Sequence, residues 1–107
     1  MLEALFTTQS RELTLQYLAI FENGYAREIS RHFDISLPSI QLQLTHLEDE
    51  GVLESEMEGR TKVYAFNPKY LFIKELFALL SKAREYYEPA LQNKFISQTD
   101  IPTRGEV

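Results

Sequence analysis

The strongest constraint on the fold comes from residues 35–66, where a helical pattern ends at a glycine and two short strand-like segments follow. Ser36 is a suitable helix cap, Pro38 falls in the first turn where its missing N–H is harmless, and Gly51 follows the last turn. We therefore predict a helix from residue 37 to about residue 50. At about 100° per residue, one narrow stripe of this helix is apolar and should face the core. It consists of Leu37, Ile40, Leu44 and Leu47.

Two short segments after Gly51 have the composition of paired strands. Residues 52–56 and 61–66 contain β-compatible side chains on either side of the turn 57–60, and Asn67-Pro68 ends the second segment. Arg60 and Lys62 lie near the tip. The pattern predicts a small β-hairpin with two basic residues at its turn.

The remaining chain is mostly helical in pattern. Residues 10–22 predict a first core helix that ends at Asn23-Gly24, and residues 26–33 predict a second, followed by a turn at 34–36. A long helical pattern runs from residue 69 to about 94, with a kink or break expected at Pro89. We expect one domain over residues 1–88 and a C-terminal extension over 89–107, partly disordered, whose residues 96–107 form a polar, frayed tail.

Composition excludes several classes of function. The 107 residues contain no cysteine, so disulfides, thiolate metal sites and cysteine nucleophiles are absent. His32 and His46 have no third ligand at metal-site spacing. No glycine-rich phosphate loop, catalytic triad or paired-acid pocket is indicated. We therefore expect no catalytic residues, no metal, no cofactor and no enzymatic activity.

The chain also lacks the signals of membrane or secreted proteins. No apolar run approaches the ~20 residues that cross a bilayer, and the N-terminal residues 1–6 lack the features of a signal peptide. These observations predict a cytoplasmic protein with no membrane partner.

The order helix, helix, turn, helix, hairpin, helix resembles the winged helix-turn-helix transcriptional regulators of the ArsR type and related MarR-like regulators. The resemblance covers about residues 5–66, more than half the chain. It implies a mainly α fold with a small β-hairpin wing and a long C-terminal helix. The residues that carry it are 5–11, Ile35, Ser36, Ile40, Leu44, Leu47, Gly51, Val52, Glu58, Gly59, Arg60 and Tyr64.

The resemblance implies a homodimeric, sequence-specific DNA-binding regulator of transcription. The helix at about 37–50 would enter the major groove of double-stranded DNA, and the wing at about 52–66 would contact the backbone. Arg27, at the start of the second helix, is the preferred phosphate contact, although it could instead pair with Glu28 or Asp34. The other expected DNA contacts are Ser36, Pro38, Ser39, Gln41, Leu42 and Thr45 on the helix, with Arg60 and Lys62 on the wing.

Two departures from the family pattern bear on DNA binding. The predicted recognition helix contains no Lys or Arg, and the cysteines of metal-responsive members are missing. In addition, six acids fall within residues 48–58, in a chain of net charge -5. If these acids face DNA they oppose binding, and if they lie on the far side of the hairpin they are solubilising charge.

The C-terminal helical pattern is apolar around more of its circumference than a small domain can cover. Pairing with a second copy would bury the excess and place two recognition helices one groove turn apart. The residues expected at this dimer interface are Leu2, Leu5, Phe6, Phe72, Leu76, Leu79, Leu80 and Tyr87.

An alternative function remains open from the sequence. Winged helices also serve as protein-protein interaction modules, and similar domains accompany nucleotidyltransferase-type proteins. An exposed Leu42 on the recognition helix would mark such a protein interface.

Overall fold

The protein forms six helices and three strands within the residues described by the computed structural model, 3–100. The N-terminal half contains α1 (Glu3–Phe6), α2 (Gln9–Phe21), β1 (Asn23–Gly24), α3 (Ala26–Phe33) and α4 (Leu37–Asp49). The hairpin strands β2 (Leu53–Glu58) and β3 (Thr61–Phe66) follow, and α5 (Ile73–Arg84) and α6 (Pro89–Asp100) complete the fold. In this part of the chain, no helix is both long and apolar enough to span a bilayer.

Local chemistry explains how α3 and α4 form a helix-turn-helix. Asp34 closes α3 in the left-handed region at φ 57°, which redirects the chain after Phe33. The Ser36 hydroxyl then caps α4 by accepting a hydrogen bond from the Ser39 backbone N–H, and Pro38 lies in the first turn as predicted.

The wing belongs to a three-stranded antiparallel sheet with strand order β1-β3-β2. The third strand, β1, was not predicted, because Asn23-Gly24 has the signature of a helix end. It pairs with β3 through Asn23 opposite Ala65 and Gly24 opposite Tyr64. Gly24 has no side chain to spare here, since a Cβ would lie 2.7 Å from Cε1 of Tyr17. This short strand ties the wing to the link between α2 and α3.

The core stripe of α4 differs from the prediction at one position on each side. Ile40, Leu44 and Leu47 are buried as expected, but Leu37 is only half-buried. Gln43 is buried instead, and its amide oxygen accepts a hydrogen bond of 2.8 Å from Nε of Arg11 on α2. The helix is therefore rotated toward Gln43, which leaves Leu37 facing the wing.

The continuous helix expected over about residues 69–94 is divided into two. The first, α5, begins only at Ile73 and ends at Arg84, and Pro89 is the first residue of α6. Proline disfavours helical conformation in the preceding residue but is well suited to a first helical turn, so the interruption precedes Pro89. The side-chain amide of Gln92 donates to the backbone oxygens of Arg84 and Glu85, which stabilises the turn between the helices.

The second of these helices packs against the rest of the domain. Phe95 is buried with Leu13, Ala83 and Tyr87. His32 Nε2 lies 2.8 Å from the Lys94 backbone oxygen, and Lys94 Nζ donates to the His32 backbone oxygen at 3.1 Å. Residues 96–100, expected in a polar tail, belong to α6, whereas residues 101–107 lie outside the described residues.

Candidate nucleic-acid interface

A groove of about 440 Å³ lies between the start of α3, the exposed side of α4 and the wing. Its floor includes Leu37 and Tyr64. Five of the nine residues predicted to contact DNA line this groove, although they come from three separate segments of the chain. They are Arg27, Gln41, Thr45, Arg60 and Lys62.

The other four predicted contacts lie on α4 or at its cap, outside the groove lining. Ser36 and Pro38 are exposed, Ser39 is half-buried, and Leu42 exposes 52% of its surface. The Ser36 hydroxyl donates to Oγ of Ser39 at 2.7 Å in addition to capping the helix. Its role within the protein is therefore structural, whereas Leu42 projects from α4 into solvent.

The hairpin separates its acidic residues from its basic ones. Side chains alternate between the two faces of a strand, so Glu54, Glu56 and Glu58 share one face. These glutamates line a different depression, which also includes Val63 and Ala65. Lys62, which has the opposite strand parity, lies on the face that borders α4. The wing acids thus face away from the groove, which decides between the two arrangements that the sequence left open.

Lys62 is held by an acid from α4. Its Nζ lies 3.1 Å from Oε1 of Glu48 and 5.5 Å from the centre of the Tyr64 ring. The other carboxylate oxygen of Glu48 accepts a hydrogen bond from the Ser55 hydroxyl. This hydrogen bond, together with Lys62, lowers the pKa of Glu48, and the hydrogen bond to Glu48 raises the pKa of Lys62. Both groups are therefore charged near neutral pH, and α4 is linked to the wing.

The two arginines that line the groove are differently placed. Arg27 lies in the first turn of α3 and is exposed, and Arg60 is exposed at the tip of the hairpin. Among the described residues, neither has a carboxylate within 4 Å. The alternative pairing of Arg27 with Glu28 or Asp34 is not seen in this part of the chain, and both guanidinium groups are available to an anionic ligand.

A polar cluster on the other side of α4 was missed by the sequence analysis. Besides bonding Gln43, Arg11 places one guanidinium nitrogen 3.5 Å from Nδ1 of His46 and another 3.9 Å from Oε1 of Glu50. These contacts fix the rotation of α4 relative to α2. Only the helical spacing of Gln43, His46 and Glu50 hinted at a shared partner, and nothing in the sequence identified Arg11.

The residues predicted for dimerisation fall into three groups. Leu5 and Phe72 are 65% and 55% exposed, whereas Phe6, Leu76 and Leu79 are half-buried. Leu80 and Tyr87 instead lie inside the single chain, at 0% and 7% exposure, because α5 turns these side chains toward α2. They support the helix rather than present a surface. Leu2 lies outside the described residues. Leu71 and Phe77, not predicted, are also exposed.

Comparison with known proteins confirms the fold. No family profile matches the chain, and neither does any curated protein sequence. A solved structure of a predicted DNA-binding transcriptional regulator from E. coli is similar with a TM-score of 0.62 and 22% identity, covering 77% of this chain and 84% of that one. The antimony-specific transcriptional repressor AntR aligns with a TM-score of 0.57 and 21% identity, over 80% and 78% of the two chains.

A third similar structure is that of reduced AbfR bound to DNA. It has a TM-score of 0.59 and 24% identity, and the alignment covers 92% of this chain and 75% of that one. At this level of identity the likeness concerns the fold. The predicted winged-helix architecture, mainly α with a β-hairpin wing, is confirmed.

Proposed function

We propose that this protein is a homodimeric, sequence-specific DNA-binding regulator of transcription, of the ArsR type. In this proposal α4 enters the major groove and the wing contacts the backbone. The observation that carries the proposal is the groove between α4 and the wing, where uncharged polar side chains lie beside exposed arginines while the wing glutamates face away.

The exposed side chains of α4 are suited to contact base edges. Gln41 can donate to and accept from adenine, Thr45 can do either with several bases, and Leu42 can pack against a thymine methyl group. Lysine and arginine, which favour guanine, are absent from α4. We therefore expect the contacted half-site to contain A·T base pairs at the positions that Gln41 and Leu42 reach.

Arg27 and Arg60 are suited to phosphate contacts on either side of that helix. They come from different elements, yet both line the groove and lack a carboxylate partner within the described part of the chain. Phosphate contacts supply affinity and register but little sequence information. This division suits a protein whose recognition helix is itself uncharged on its groove side, and the known DNA complex of AbfR supports the same use of the fold.

The test is selection from random-sequence DNA, followed by affinity measurements at several salt concentrations. We expect an enriched palindromic site, and we expect Arg27→Ala and Arg60→Ala each to reduce the slope of log affinity against log salt by ~0.9, the value for one phosphate contact. Arg31→Ala is the matched control, because Arg31 is an exposed arginine on α3 that does not line the groove.

A protein-interaction module is the second candidate, and the exposure of Leu42 favours it. In that case selection would enrich no sequence and binding would show no salt dependence, which would remove the DNA proposal. The same partner surface would then be the apolar side of α4 around Leu42, and a partner of the nucleotidyltransferase type would be the first to examine.

A further inference from the structure

Lys62 differs from the other two cations of the groove in already having an anionic partner. Glu48 comes from the last turn of α4 and reaches the Lys62 ammonium at 3.1 Å, whereas no carboxylate within the described residues approaches Arg27 or Arg60 to 4 Å. Because Lys62 lines the groove, a phosphate that approaches the wing would occupy the place that Glu48 holds.

The Glu48 carboxylate is fixed on both oxygens, unlike a mobile surface acid. Ser55 on β2 donates to one oxygen, and Lys62 on β3 contacts the other. The Glu48 side chain retains 30% of its exposure and Lys62 retains 49%, so the pair lies at the rim of the groove where a ligand can reach it. The geometry is that of an internal carboxylate occupying a cation at the position expected for DNA phosphate.

We infer that Glu48 is an internal competitor of DNA phosphate for Lys62, and that it lowers the affinity of the protein for DNA of any sequence. The inference rests on the proposed function. Binding of a phosphate at Lys62 must displace Glu48 or place a second negative charge beside it, and either costs free energy. Because this cost does not depend on the bases, it lowers affinity for operator and random DNA alike. Contacts from α4 then supply a larger share of the total binding.

The test compares Glu48→Gln with a matched charge removal, Glu54→Gln. Both variants change the net charge equally, but Glu54 lies on the opposite face of the hairpin, away from Lys62. We expect Glu48→Gln to bind DNA about two- to fivefold more tightly at low salt, the fold-change that corresponds to an exposed ion pair. The factor should be the same for operator and random DNA, and the salt slope should steepen by ~0.9. Glu54→Gln should change both quantities much less.

A Lys62→Gln background identifies the route of the effect. If Glu48 acts through Lys62, Glu48→Gln should change affinity in that background no more than Glu54→Gln does. A gain that persists without Lys62 would overturn the inference. So would equal behaviour of the two glutamate variants, or weaker binding by Glu48→Gln, which would make Glu48 a residue that positions the wing. Thermal unfolding of each variant checks that the fold is intact.

Failure of the inference can be told apart from failure of the proposed function. If the unaltered protein binds DNA and Arg27→Ala weakens it, but Glu48→Gln matches Glu54→Gln, only the role of Glu48 falls. If neither the unaltered protein nor Glu48→Gln binds random or selected DNA at low salt, the proposed function and the inference are both overturned.

Discussion

At the scale of single residues, Leu42 is the side chain on which base recognition can be tested most directly. It exposes 52% of its surface on α4, beside the groove that Gln41 and Thr45 line. If it packs against a thymine methyl group, replacing that thymine with uracil should weaken binding about fourfold, since one buried methyl group contributes ~0.8 kcal/mol.

The measurement is a titration of the unaltered protein and of Leu42→Ala with operator DNA in which each thymine is replaced in turn by uracil. We expect one position per half-site at which the unaltered protein discriminates and Leu42→Ala does not. Equal discrimination by both proteins at every position would show that Leu42 does not contact a thymine methyl group.

Residue-level predictions from sequence succeeded where periodicity alone decides burial. Ile40, Leu44 and Leu47 are buried because their spacing leaves them on one side of any helix. Leu37 and Gln43 were misplaced, because the rotation of α4 depends on Arg11, more than thirty positions earlier in the chain. A partner at that sequence distance leaves no local pattern.

The acidic residues of the wing illustrate the same limit. Their number is plain in the sequence, but their direction depends on strand register, which pairs Glu54 with Ala65 and Met57 with Lys62. A shift of one residue would exchange the faces, so the electrostatics of the candidate site could not be decided before the register was known.

At the scale of elements, a buried polar cluster joins α2 to α5 and the turn that follows it. The side-chain amide of Gln16 donates to the Leu80 backbone oxygen at 2.9 Å and to the Tyr87 hydroxyl oxygen at 3.0 Å. Arg84 donates to the amide oxygen of Gln16, and the Tyr87 hydroxyl donates to the Glu12 carboxylate. Both Glu12 and Gln16 are buried, so these bonds satisfy groups that would otherwise be costly to bury.

Removing the Tyr87 hydroxyl should therefore destabilise the whole domain. We expect Tyr87→Phe to lower the free energy of unfolding by about 1–3 kcal/mol, because the buried carboxylate of Glu12 loses a donor and the Gln16 amide loses an acceptor. Urea unfolding measures this change. Tyr86→Phe is the control, since Tyr86 is its neighbour and 64% exposed, and a loss of similar size there would contradict the argument.

The same hydroxyl predicts a dependence of stability on alkaline pH. Burial, followed by the hydrogen bond to Glu12, raises the pKa of Tyr87 above the ordinary tyrosine value of about 10. A group whose pKa is higher in the folded state contributes stability that is complete below its unfolded pKa and is lost as the pH rises toward the folded value. The stability difference between the unaltered protein and Tyr87→Phe should be constant below about pH 10 and narrow above it. A difference that widens above that pH would contradict the assignment.

Element prediction followed the range of the interactions involved. The helices α2, α3 and α4 and the hairpin were predicted because caps, turns and periodicity are local signals. Strand β1 depends on pairing between residues 23 and 65, and α6 was concealed because its apolar residues continue the pattern of α5 across the turn at 85–88. The pattern indicated a break at Pro89 but not that the chain beyond it packs back through Phe95.

At the scale of the whole molecule, the exposed apolar residues around the start of α5 predict self-association. Phe72 is 55% exposed and Leu71 80% exposed, an arrangement that a second copy would bury. We expect a dimer at micromolar concentration by sedimentation, and we expect Phe72→Glu to shift the protein toward monomer, since a charge would be desolvated at the interface.

Met57→Glu is the matched control for this experiment. Met57 is equally exposed, at 59%, but lies on the wing, far along the chain from α5. It should leave the sedimentation behaviour unchanged. A monomeric unaltered protein, or equal dissociation of both variants, would overturn the dimer proposal. In DNA titrations, Phe72→Glu should also lose the affinity gained by holding two half-sites at once.

The two-faced hairpin has a consequence for how such an acidic protein can approach a polyanion. With a net charge of -5, the molecule as a whole is repelled by DNA at long range. Because Glu54, Glu56 and Glu58 lie on one face while Arg27 and Arg60 border the groove, that repulsion is uneven. An encounter on the glutamate face is disfavoured, and one on the groove face is tolerated, so the charges act as a filter on orientation before any base is contacted.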